Sequence, residues 1–209
     1  GVGATGLLIS SAQWPTLVTD RAVLLGTLAI ALCMPLLSGK SLRDSLTDGM
    51  VLVMGVLYLG LTLSYLVLTR GLPDGALLIF FVFLVTWAGD TGAYVAGKSM
   101  GRHALAPVIS PKKTYEGLAG GLVLACLMAV VARAWFLPAF SLVDCLALGM
   151  ILTITGLIGD LAEPAMKRSA GSRDSGALIP GHGGMLDRLD SLLFTGPAIY
   201  YYVTIVNNG

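Results

Sequence analysis

The chain has 209 residues, of which 56% are hydrophobic and only 12% charged, roughly half the charged share of a soluble domain. With a mean hydropathy of +0.83, it lacks the polar surface a soluble fold needs to cover itself. A net charge of +1 gives no field that would attract nucleic acid, so no such partner is expected.

The first eleven residues are apolar but too short to cross a bilayer. No basic stretch precedes an apolar one there, so no signal peptide is expected, and the N-terminus is expected to be truncated. Six spanning segments follow, at 22–37, 50–69, 76–97, 117–135, 142–159 and 191–206. Each is close to the roughly 20 apolar residues that a membrane helix needs. The fold class expected is therefore all-α, a polytopic integral membrane helical bundle. Its N-terminal helices occupy 1–75 and its catalytic transmembrane region 76–209. Cys33, Cys126 and Cys145 all lie inside apolar runs with no metal-binding spacing, and read as small helix residues.

The loops at 38–49, 98–116 and 160–190 fall on one side if every segment spans. They hold ten of the thirteen Lys and Arg: Lys40, Arg43, Lys98, Arg102, Lys112, Lys113, Lys167, Arg168, Arg173 and Arg188. The other side has Arg21, Arg70 and Arg133. This asymmetry puts the basic loops in the cytoplasm, and an inner (plasma) membrane protein is expected.

Chemistry gathers at three places. Asp90, in WAGDTGAY, lies within an apolar run, where a carboxylate marks function or a helix–helix hydrogen bond. Lys112 and Lys113, in ISPKKTYEG, set two ammonium charges side by side. The loop at 160–190 holds five of the twelve carboxylates, Asp160, Glu163, Asp174, Asp187 and Asp190, with four cations and His182 among glycines. Glycine lets backbone approach a ligand and offer N–H donors to phosphate. Asp187 and Asp190, three apart, share a face if the chain is already helical there. Converging carboxylates without thiols suit a hard cation such as Mg²⁺, and Mg²⁺ with Lys and Arg is the usual equipment for a nucleoside triphosphate. His182 fits a phosphate contact or a proton donor. No Walker loop, GxGxxG, GxSxG or HExxH occurs.

The stretch KRSAGSRDSGALIPGHGGMLDRLD, at 167–190, closely resembles the signature of the phosphatidate cytidylyltransferase (CDP-diacylglycerol synthase) family. GDTGAY at 89–94 and SPKKTYEG at 110–117 resemble two further family blocks in the same order. From Trp87 to Asp190 the blocks span about half the chain. In two places the chain departs from the family pattern: Pro164 stands where the family usually has Ser, and Arg173 where it usually has Lys. The first removes a hydroxyl; the second keeps the charge. The resemblance implies transfer of CMP from CTP to phosphatidic acid, giving CDP-diacylglycerol and pyrophosphate, with Mg²⁺ and a second metal ion left open. It implies catalytic roles for Asp160, Lys167, Arg168, His182, Asp187 and Asp190, with Asp160, Asp187 and Asp190 as metal ligands. Lys112, Lys113, Arg173, Arg188 and Asp90 are expected to bind or support the substrates. CTP, phosphatidic acid and the bilayer are the partners expected, and a homodimer would match the family.

Two other readings stand beside this one. A related CTP-using enzyme acting on another lipid, such as a polyprenol kinase or an archaeal-type lipid cytidylyltransferase, would differ in its lipid pocket. An ion-coupled transporter using Asp90 and Asp160 would show inverted repeats, and none is visible in the sequence.

Overall fold

The computed structural model describes residues 1–13, 20–169 and 186–206, with 169 and 186–188 as backbone only. They form two compact units, Gly1–Pro73 and Asp74–Gly209.

The first unit holds α1 (Val2–Gln13), α2 (Asp20–Leu37) and a continuous helix made of α3 (Leu42–Gly55), a π-helical stretch (Val56–Leu61) and α4 (Thr62–Arg70). At about 1.5 Å per residue, the 12 residues of α1 fall well short of the hydrocarbon thickness. Leu8, Val23 and Val56 form its buried core, with Leu52 and Leu61 packed against them. Ser41 starts α3 by accepting the Asp44 amide at 3.2 Å. That cap lengthens the second span: the helix begins at Leu42, eight residues before the expected start at residue 50.

The second unit contains α5 (Gly75–Met100), β1 (Ala104–Ala106), β2 (Ser110–Thr114), α6 (Tyr115–Trp135), α7 (Leu142–Ser169) and α8 (Leu186–Val206). The strands pair antiparallel, Ala104 with Thr114 and Ala106 with Ser110, in a segment expected to be a plain basic loop. Glu116 closes this hairpin, its carboxylate accepting the amides of Arg102 (3.1 Å) and His103 (3.3 Å) while its other oxygen lies 2.6 Å from His103 Nδ1. The Thr114 hydroxyl then accepts the Gly117 amide at 3.1 Å and caps α6. At the far end a reciprocal capping box opens α7. The Asp144 amide donates to Ser141 Oγ (3.1 Å), and the Ser141 amide donates to Asp144 Oδ2 (2.7 Å). Tyr202 of α8 donates its hydroxyl to the same Asp144 carboxylate at 2.7 Å.

Glycine governs how these helices meet. A Cβ at Gly120 of α6 would lie 2.3 Å from the Ala96 Cβ, and one at Gly92 of α5 would lie 2.6 Å from the Gly120 carbonyl oxygen. Such close backbone approach is the usual device of helix pairs in lipid. The outward faces stay apolar, with Val123, Trp135, Val143 and Ile205 all exposed. Among the described residues six helices are long and apolar enough to cross a membrane, so the all-α polytopic membrane fold is borne out.

One boundary needs correction. The fifth span does not end at residue 159: α7 runs on to Ser169, with Pro164 inside it. The charges that suggested a loop form a polar helix face instead. Glu163 and Lys167, four apart, lie 2.6 Å from one another as an ion pair.

Candidate active site

The close approach of α7 and α8 creates the site. A Cβ at Gly159 would lie 2.0 Å from the Asp190 carbonyl oxygen, so only glycine lets the two backbones touch there. This contact sets Asp160 of α7 beside the first turns of α8. Ser191 donates its hydroxyl to Asp160 Oδ1 at 2.6 Å. Its amide donates to Asp190 Oδ1 at 2.9 Å. Lys113, delivered by β2, donates to the second Asp160 oxygen at 2.5 Å. Asp90 of α5 lines the same cavity as Lys113 and Asp160.

Asp90, Lys113 and Asp160 border a cavity of about 330 Å³. Asp90, Lys112, Lys113, Ser110 and Asp160 line its polar end, while Leu118, Leu152 and Leu157 line the rest. Both Lys113 and Asp160 keep about a quarter or less of their side-chain surface exposed (26% and 21%). In such a half-dry setting an ion pair interacts more strongly than at an open surface. Next to it, Glu163 is buried at 5% exposure. Glu163 pairs with Lys167. Arg168 donates to the carbonyl of Val108 in the hairpin turn, tying the end of α7 to the strand pair.

Asp90, Lys112, Lys113 and Asp160 thus line one cavity, with Asp190 at the α7–α8 contact beside Gly159 and Lys167 and Arg168 further along α7. Arg173 and His182 lie outside the described residues, and Asp187 and Arg188 are described as backbone only. That backbone is helical, so Asp187 and Asp190 sit one turn apart on α8. The two richest basic loops, expected to share one face, do meet at one end of this unit through the Lys113–Asp160 and Arg168–Val108 contacts. Among the described residues no three Asp, Glu, His or Cys side chains form a ready metal cage. Among the described residues the donors at the site are carboxylate and hydroxyl oxygens, the kind a hard cation takes.

Sequence reasoning missed Ser191, Glu163 and Thr86. Ser191 carries no charge, and its only signal was its place beside Asp190. Glu163 stood out as a carboxylate but had no partner until α7 was seen to continue through it. Thr86 sits in an apolar run with nothing to mark it.

Residues 4–206 match the cytidylyltransferase family model. The chain is similar to a protein named phosphatidate cytidylyltransferase in Staphylococcus saprophyticus, with 43% identity over 157 residues, 75% of this chain and 60% of that relative. A Staphylococcus aureus protein of the same name is 42% identical over 159 residues, with the same coverage of 75% and 60%. One from Bacillus subtilis is 39% identical over 155 residues, 74% of this chain and 58% of the relative. The chain spans about 60% of the length of the curated relatives it matches. The motif resemblance at 89–94, 110–117 and 167–190 therefore extends through nearly all of the sequence, and the chain belongs to the cytidylyltransferase family.

Proposed function

We propose that this chain carries the catalytic part of an enzyme that transfers CMP from CTP to phosphatidic acid, making CDP-diacylglycerol and pyrophosphate. The observation that carries this reading is one cavity with two lysines and two carboxylates at its polar end and leucines beyond them. A lipid phosphate needs such a junction of charge and apolar surface. The names of the relatives point to the same chemistry.

A phosphate oxygen of phosphatidic acid attacks the α-phosphorus of CTP. The bond from that phosphorus to the bridging oxygen breaks, and pyrophosphate leaves with the electron pair. A phosphate monoester is already nucleophilic, so the protein's main task is to bring two anions together. Lys112 and Lys113 offset that repulsion from the hairpin, and Lys167, Arg168, Arg173 and Arg188 do so from the α7–α8 side. Ser191 and Lys113 hold the Asp160 carboxylate in place. Asp160, Asp187 and Asp190 would hold Mg²⁺, which when bound supplies positive charge to the phosphates. Asp90 supports this cluster, and His182 serves as a phosphate contact or proton donor. We place the site on the cytoplasmic side of a bacterial inner membrane, where CTP is dissolved, because the basic loops gather at that end.

The test is incorporation of radiolabelled CTP into lipid in detergent micelles, with phosphatidic acid and Mg²⁺, for the parent chain and Asp187→Asn. The expected result is Mg²⁺-dependent labelling by the parent and loss of about 100-fold or more in the variant. Labelling unchanged by Asp187→Asn would overturn the metal assignment. A parent that labels a polyprenol instead would move the chain to a different lipid acceptor.

A further inference from the structure

Hydroxyls on membrane helices ordinarily bond back to the carbonyl three or four residues earlier, because lipid offers no other acceptor. In the second unit Thr91, Ser99, Thr153, Thr155 and Thr204 do so, at 2.7–2.8 Å. Thr195 bonds Leu192 at 3.3 Å, and Ser191 bonds Asp160. Among the described Ser and Thr of these helices, Thr86 is the exception. It is 4% exposed, and its Oγ1 is buried with no hydrogen-bond partner. An unmet buried hydroxyl is costly, and it is kept where something else satisfies it.

Thr86 also lines the cavity described above. It stands four residues before Asp90, on the same face of α5 and about 6 Å further along the helix axis from the lysines. Leu152 and Thr153 of α7 and Gly89 of α5 line the cavity with it. The cavity is thus charged at one end, apolar at the other, and carries one spare hydroxyl at the apolar end. In helices threonine occupies two χ1 wells, so a single rotamer step re-aims the hydroxyl.

A molecule that matches this order has a phosphate, a short polar joint holding an acceptor, and then hydrocarbon. We propose that the Thr86 hydroxyl donates a hydrogen bond to an acyl ester carbonyl of the lipid substrate, making the inner end of the cavity a subsite for ester-linked lipid. The inference deepens the reading under Proposed function and rests on it for the identity of the lipid. Thr86 is on this view a specificity residue that leaves the phosphoryl chemistry alone.

The experiment compares diacyl phosphatidic acid with its diether analogue, which lacks the ester carbonyls, for the parent, Thr86→Val and Thr86→Ser. Two quantities are read: the KM of each lipid, and its Kd in lipid-free micelles from tryptophan fluorescence, for which Trp87 is adjacent and exposed. Valine is nearly isosteric and removes an unsatisfied hydroxyl, so the fold is expected to hold. Thr86→Val should raise KM and Kd for the diacyl lipid about five-fold, the loss of one hydrogen bond. It should leave the KM for CTP and both constants for the diether lipid unchanged. Thr86→Ser should behave as the parent, and the parent should itself prefer the diacyl lipid by the same factor. Equal constants for the two lipids in the parent, equal shifts for both in the variant, or a shift in the KM for CTP would each overturn the anchor. If neither lipid is converted, the proposed reaction fails, while the Kd comparison still decides whether Thr86 contacts the ester.

Discussion

At the residue scale, charge alone does not tell a site from a surface. Lys40–Asp48 and Lys113–Asp160 are both lysine–carboxylate pairs, at 2.6 Å and 2.5 Å. The first is open, with its side chains 57% and 41% exposed, and such pairs contribute little. The second is half-buried and shares its carboxylate with Ser191. Lys113→Met is accordingly expected to lower CTP incorporation about 100-fold, and Lys40→Met to change it by less than about two-fold. A large loss from Lys40→Met would show that the assay reads folding rather than chemistry. The sequence made Asp160, Asp190 and the lysines visible because ionisable groups are rare in so apolar a chain. Ser191 and Thr86 were hidden because a hydroxyl on a membrane helix usually serves only its own backbone.

At the element scale, spans were legible and their ends were not. Hydropathy located α5 and α6 to within three residues at each end, because lipid imposes a length on any helix that crosses it. It stopped α7 at residue 159 because the following turn is charged, whereas those charges lie on a helix face turned toward the site. The β1–β2 hairpin was missed for a related reason: the Glu116 carboxylate that closes it lies on the far side of the segment from Arg102 and His103. Glycines in two of the family-like blocks proved to be contact points between α5 and α6. Gly120→Val should therefore destabilise the fold by about 1–3 kcal/mol, seen as a lower melting temperature in detergent. Gly55→Ala is the control: nothing lies within 4 Å of its added Cβ, and its melting temperature should hold or rise. Equal behaviour of the two variants would refute close packing at Gly120.

At the scale of the whole molecule, the fold class follows from composition and the site does not. A chain this apolar with six long runs has few options other than membrane helices. The site joins Asp90, Lys113 and Asp160 from three separate stretches of sequence, and no periodicity relates them. What unites them is that the hairpin and the α7–α8 ends share one end of the second unit. That end should face the cytoplasm. In a background without the three native cysteines, Lys112→Cys should react with an impermeant maleimide only in inside-out vesicles, and Pro138→Cys only in right-side-out ones. The reverse pattern would invert the topology and separate the site from CTP.

Pro164 carries a consequence for this same end. Proline has no amide hydrogen, and the carbonyl four residues before it is that of Asp160. The main-chain oxygen of Asp160 thus loses its ordinary helical donor. A bare carbonyl at the edge of hydrocarbon must be met by water, a cation or an incoming ligand. Residue 160 thus combines side-chain oxygens held by Lys113 and Ser191 with a main-chain oxygen that has no helical amide four residues on.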